Sequence, residues 1–160
     1  MFLRGGITFG FTSNNLPSHY SCSQSTMTKL IKIEGIGEAF AQKLKGAGVG
    51  SVEMLLRKGG TKKGRQDLSE KSGLDSTRLL RFVNHADLMR IKGIGGEYAE
   101  LLEASGVDTV KELAQRNSIN LHQKMKEVNG DKKLVRQVAA RSQVEEWIRQ
   151  AKRLPRAVQY

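Results

Sequence analysis

LIKIEGIGEAFAQKLKGAGVGSVEML, residues 30–55, returns 58 positions later as LMRIKGIGGEYAELLEASGVDTVKEL, residues 88–113. Eleven of the 26 aligned positions are identical: Leu30/Leu88, Ile33/Ile91, Gly35/Gly93, Ile36/Ile94, Gly37/Gly95, Ala41/Ala99, Leu44/Leu102, Gly48/Gly106, Val49/Val107, Val52/Val110 and Leu55/Leu113. Both glycine pairs stay in register, so one supersecondary unit is used twice. The spacing predicts a short helix, a tight I-x-G-I-G turn and a second helix in each copy.

Working outward, the pattern stays helical. Phe40, Ala41, Leu44 and Ala47 fall at helical spacing after Gly37, and Gly46-Ala47-Gly48 ends that helix. Ser51 starts another, with Val52, Leu55 and Leu56 on one side. In the second copy Tyr98, Ala99, Leu101 and Leu102 repeat the pattern. Thr109-Val110-Lys111-Glu112 has the form of a capping box, in which the Thr oxygen takes one orphan amide and the Glu reaches back to the cap's own amide. Between the copies we expect a Gly/Lys loop over 58–64, a short helix near 65–72 closed by Gly73, and a helix from 76 to about 86 capped by Asp75. Beyond the second copy, 120–128 and 132–140 look helical. Ser142-Gln143-Val144-Glu145 offers another capping box. Val144, Trp147, Ile148, Ala151 and Leu154 form an apolar stripe that Pro155 ends. No strand is predicted, and the fold class is all-α.

The expected organisation is a tail over 1–26, one unit over 27–87, a second over 88–155 and a C-terminal tail over 156–160. Residues 1–26 are rich in Ser, Gly, Asn and Thr and carry no acid. Glycines and threonines interrupt any apolar block that a secretory signal would need, and Arg4 is the only arginine, too few for a transit peptide. Two readings stay open: a disordered tail, or a start assigned upstream of the natural one, since Met27 directly precedes the first copy.

The chain is strongly basic, with net charge +11, pI near 10.0 and mean hydropathy −0.45. Such a field favours polyanions, with nucleic acid first. The excess is concentrated: residues 57–66 carry five basic and no acidic groups, and 131–160 carry eight and three. The two glycine units are nearly neutral. No apolar run is long enough to cross a membrane. The single cysteine, Cys22, excludes an intramolecular disulfide and a cysteine-based zinc site. His19, His85 and His122 are scattered without metal spacing. No nucleophile stands with a base, and no Walker loop is present. G-I-G-G-E is not a dinucleotide fingerprint, because no strand precedes it. The expectation is a protein without enzymatic activity. Phe40, Tyr98 and Trp147 sit on apolar stripes and are expected in the core.

Glycine-isoleucine-glycine between helices has a physical purpose. Glycine permits backbone angles that side chains forbid and lets a ligand approach the backbone. The helix that follows points its unpaired amides and positive dipole end outward, which makes a ready phosphate site. The central Ile36 or Ile94 turns inward.

The pattern h-x-x-h-x-G-h-G-x-x-x-A-x-x-h resembles the helix-hairpin-helix motif of DNA repair and replication proteins, over Leu30 to Leu44 and Leu88 to Leu102. More closely, VNHADLMRIKGIGGEYAELLEASGVDTVKELAQRN and VEEWIRQAKRLPRAVQY resemble a bacterial family of stand-alone tandem helix-hairpin-helix proteins that carries a domain-of-unknown-function label. The resemblance covers Met27 to the end. It implies a tandem helix-hairpin-helix, SAM-like helical bundle that grips duplex DNA or structured nucleic acid by its backbones, without base specificity. It also implies a bacterial cytoplasmic setting, with nucleoid association as an option, no resident cofactor, and room for a monovalent cation on the hairpin carbonyls. Carried onto this chain, the amides of Gly93, Gly95 and Gly96, with Gly35 and Gly37, would meet phosphates. Lys92, Lys58, Lys62, Lys63 and Arg65 would neutralise them. The motif departs from strong DNA binders where Glu38-Ala39 and Gly96-Glu97 stand in place of Lys or Arg, and where Glu34 lies inside the first hairpin. Those acids keep a second reading open, a protein-interaction or scaffold module that uses the same fold without DNA contact, with an acidic protein as partner. No membrane partner is expected, and oligomeric state is left undefined.

Overall fold

The computed structural model describes residues 27–160, so both readings of residues 1–26 lie outside the described residues. A single 3-10 turn, Leu30–Lys32, opens the fold. Eight α-helices follow: α1 Glu38–Gly46, α2 Val52–Gly59, α3 Lys62–Ser72, α4 Ser76–Leu88, α5 Gly96–Ala104, α6 Val110–Ala114, α7 Ser118–Lys132 and α8 Arg141–Ala151. No strand occurs among the described residues, whose regular structure is all helical.

Local chemistry explains most of the helix starts. Ser51 accepts the Met54 amide, Thr61 that of Gly64, and Asp75 those of Thr77 and Arg78. Thr109 accepts from Glu112, and Asn117 from Ile119 and Asn120. Each such cap stabilises its helix by about 1 kcal/mol. α1, α5 and α8 instead begin on Gly37, Gly95 and Ala140, with no side-chain cap.

Burial divides the helices into two cores. The first runs from Leu30 to Ala86, and the second from Leu88 to Ala151. Met89 packs against both. α2 and α3 pack on α4, as α6 and α7 pack on α8, and α1 lies on α3 as α5 lies on α7. The buried stripe Leu79, Phe82, Val83, Ala86 of α4 has the spacing of Val144, Trp147, Ile148, Ala151 of α8, 65 residues on. The equivalence reaches single bonds. Lys58 Nζ donates to the Gly48 carbonyl at 2.7 Å, and Arg116, 58 positions later, donates to that of Gly106.

Four expectations about helix bounds and caps need correction. No loop spans 58–64: α2 runs to Gly59 and α3 starts at Lys62, because Thr61 caps it. Residues 133–140 are not a helix. Lys133 turns left-handed (φ 50°), and the Asn129 side chain takes both the N–H and the carbonyl of Val135, at 2.9 and 3.0 Å. The Ser142–Glu145 box is unused, since α8 already starts at Arg141 and Glu145 pairs with Arg141 at 3.2 Å. In the Thr109 box, Glu112 reaches the amide of Asp108 at 2.9 Å, one residue before the cap.

The last residues fold back over the first core. Val158 is 2% exposed there, the Gln159 N–H donates to Gly60 O at 2.7 Å, and the Tyr160 hydroxyl meets Asn84 at 3.4 Å. Residues 156–160, expected as a tail, form a strap.

A polar latch joins α4 to α5. His85, fully buried, contacts Glu103 through Nε2 at 2.7 Å, and Arg81 donates to the same carboxylate at 2.9 Å and to Glu100 at 3.3 Å. Burial pushes the Glu103 carboxyl up, but hydrogen bonds from His85 and Arg81, with their charges, outweigh burial and hold it below its ordinary value of 4.5. A carboxyl lowered on folding contributes stability above its unfolded value and loses it as pH falls through its folded value. Glu103→Gln is therefore expected to flatten the fall in stability below about pH 4.5, read from urea midpoints at stepped pH. Parallel acid limbs for wild type and variant would reject the latch.

Candidate functional site

Each glycine turn is built the same way. Ile33 and Ile91 are buried, and their carbonyls accept the amides of Ile36 and Ile94 at 3.1 Å. The central isoleucines are buried as well. The first glycine of each pair must be glycine, for Gly35 has φ 86° and Gly93 φ 99°.

The second glycine has no such reason. Gly37 (φ −82°, ψ 177°) and Gly95 (φ −95°, ψ −173°) are extended, and a Cβ on either would meet nothing within 4 Å. Both are exposed, and both are the caps of the helices that follow. Among the described residues, the amides of Gly37, Glu38 and Ala39, and of Gly95, Gly96 and Glu97, donate to no protein acceptor. Two bare helix starts thus face outward, each adding the positive end of a helix dipole.

Gly96 brings the two turns together. A Cβ there would lie 2.1 Å from the Lys32 carbonyl oxygen and 3.2 Å from the Glu34 nitrogen. The start of α5 therefore presses against the backbone of the first turn. Glycine at 96 serves this contact.

Aromatic pairs underlie both turns. Phe40 and Phe82 pack at 6.1 Å beneath Gly35, with Arg78 5.0 Å over the Phe40 ring. Tyr98 and Trp147 pack edge-on at 5.2 Å beneath Gly93. Phe40 and Tyr98 are half-buried, while Trp147 is buried. Tyr98 donates to Gln137 O at 2.9 Å, whereas the Trp147 indole N–H has no partner among the described residues.

The predicted cations separate. Lys92 is exposed in the second turn, and its amide donates to Gln150 Oε1 at 3.0 Å. Lys62 and Lys63 are exposed in the first turn of α3. Lys58 holds its ammonium at Gly48, beyond the C-terminus of α1 and so roughly 14 Å of helix from Gly37. Arg65 is 6% exposed and donates to Gly59 O, Gly60 O and Gln159 O at 3.0, 3.2 and 2.8 Å. Its guanidinium is committed to carbonyls inside the fold and faces no phosphate. Burial holds it below its ordinary range, though the Tyr160 hydroxyl opposes the shift. Sequence reasoning missed Lys32, exposed beside the contact with Gly96. Its counterpart 58 positions on is Arg90, a signal that was legible.

Exposed Glu34, Glu38 and Glu97 flank the same turns. A carboxylate at contact distance from a phosphate repels it by roughly 1 kcal/mol or more. The side chains that α8 turns toward Gly93, the Trp147 N–H and the Gln143 amide nitrogen, are donors.

Among the described residues no helix is long and apolar enough to cross a membrane. No curated protein matches the chain, and no solved structure does. A family model matches residues 34–154, from inside the first glycine turn to just before Pro155. The chain belongs to the family described as Domain of unknown function (DUF4332).

Proposed function

We propose that the chain is a tandem helix-hairpin-helix module that holds the backbones of duplex DNA without reading sequence and without catalysing a reaction. The observation that carries the reading is the second glycine of each turn. Neither backbone angle nor packing asks for glycine at 37 or 95. Five other helices of the chain use a side-chain cap, and of the three that do not only α1 and α5 start on glycine. The two turns give up that stabilisation, and an approaching phosphate accounts for the cost. The contact at Gly96 supports the reading further, because it packs the start of α5 against Lys32 and Glu34 at the entry of the first turn. Lys32 and Lys92 supply charge at the turns.

The test sets stability against affinity. Gly37→Ser with Gly95→Ser supplies each helix with its own cap, so stability should hold or rise by a few tenths of a kcal/mol. The serine side chain then crowds the bare helix start and draws on its free amides, so duplex affinity should fall. Fluorescence anisotropy of a labelled duplex, titrated with salt, reads both variant and wild type. Wild-type log affinity should decline linearly with log salt, with a slope of about −2 to −4 for a few neutralised phosphates. No wild-type binding at low salt, or a salt-independent affinity, removes the reading. The exposed acids at the turns favour a protein-docking module as the second reading, and that outcome would promote it.

A further inference from the structure

We infer that the two turns are unequal, and that Gln150 is a positioning residue that holds the second turn in shape for a backbone phosphate. The inference rests on the duplex-binding reading. Gln150 grips the Lys92 peptide from both sides: Oε1 accepts the Lys92 N–H at 3.0 Å, and Nε2 reaches the Lys92 carbonyl at 3.5 Å. One turn of helix away, the Trp147 indole nitrogen lies 2.9 Å from where a Gly93 Cβ would stand, and Gln143 Nε2 lies 3.4 Å from it. Positions 143, 147 and 150 form one face of α8. That face braces the second turn from behind.

The matching face of α4, 65 residues earlier, is Arg78, Phe82 and His85. Two of those side chains are spent elsewhere. Arg78 lies over Phe40, and His85 faces away to Glu103. Only Phe82 touches the first turn, at 3.5 Å from a Gly35 Cβ. Among the described residues, no side chain grips the Glu34 peptide as Gln150 grips that of Lys92. Charge runs the same way, since the turn that Gln150 grips carries Lys92 and the other carries Glu34. A loop fixed before binding loses less freedom on contact. The amides of Gly93, Gly95 and Gly96 are therefore set for a phosphate, and the first turn follows as a weaker second contact.

The experiment uses the full chain and a labelled duplex at low salt. Gln150→Met keeps the length and removes the grip. It should cut duplex affinity about three- to tenfold, the range of one lost hydrogen bond, and speed hydrogen exchange at the Lys92 amide but not at the Gln159 amide. Gln150→Glu, which keeps the acceptor, should restore Lys92 protection. Because Trp147 is the single tryptophan, duplex saturation should also shift intrinsic emission. Gly95→Ser should cost more affinity than Gly37→Ser. The inference is overturned if wild type binds and Gln150→Met leaves affinity or Lys92 exchange unchanged. It also falls if emission stays flat while anisotropy rises, or if the Gly37 substitution costs as much as the Gly95 one. Failure of the underlying reading shows earlier and separately, as a wild type that binds no duplex.

Discussion

Arg65→Met is expected to lower the stability of the folded chain by about 3 kcal/mol, since it strips charged donors from buried carbonyls. The guanidinium bridges Gly59, Gly60 and Gln159 while 6% exposed. Gly60 O keeps the Gln159 amide, but the carbonyls of Gly59 and Gln159 lose the donor Arg65 supplies. Methionine preserves the apolar stem, so the loss reports hydrogen bonding rather than a cavity. The melting midpoint should fall by roughly 6–12 °C for a chain of this size. Exchange at the Gln159 amide should rise above that of the second core. Arg65→Lys should recover only part of the loss, because one compact ammonium cannot span the end of α2 and the strap together. A change under about 1 kcal/mol would mean that Arg65 is solvated in solution and free to meet a ligand.

Gly96→Ala should separate the two glycine turns. The new Cβ would sit 2.1 Å from the Lys32 carbonyl oxygen, a backbone atom that has no rotamer to yield. Overpacking of this kind costs about 1–3 kcal/mol. Duplex affinity should fall beyond what destabilisation explains, since the new Cβ shifts the start of α5 and its bare amides away from the first turn. Gly64→Ala is the control. Its Cβ would lie 1.9 Å from the Lys58 carbonyl, a comparable collision away from the turns. The two variants should lose similar stability, and only the Gly96 variant should lose affinity at a temperature where both are folded. Equal affinities would show that the contact between the turns has no part in binding.

What was legible in the sequence was local. The glycine pairs, the buried isoleucines and the caps Ser51, Asp75 and Thr109 follow from short-range rules, and the structure keeps them. Local rules failed where two of them competed. Residues 133–140 carry Leu134, Val135, Val138 and Ala139 at spacings that suit a helix, yet Asn129 captures the Val135 peptide and ends α7. Glycines at 59, 60 and 64 read as a loop, but packing demands them: a Cβ at Gly59 would meet Val83 at 2.5 Å. The long-range contacts around the candidate site were not legible. Gln150 meets Lys92 across 58 residues and Arg65 meets Gln159 across 94. No periodicity records such pairs, and a charge count placed Arg65 on the outside.

The strap has a consequence for the order of folding during synthesis. The N-terminal core includes Val158, and its buried arginine awaits the carbonyl of Gln159. A ribosome that has released α1 to α4 has released an unfinished unit, with a slot left open until the strap emerges. Contacts of such long sequence separation slow folding. The N-terminal core should therefore stay vulnerable to protease in the nascent chain and close only after the second core has formed, reversing the usual sequence in which the earlier-made half settles first.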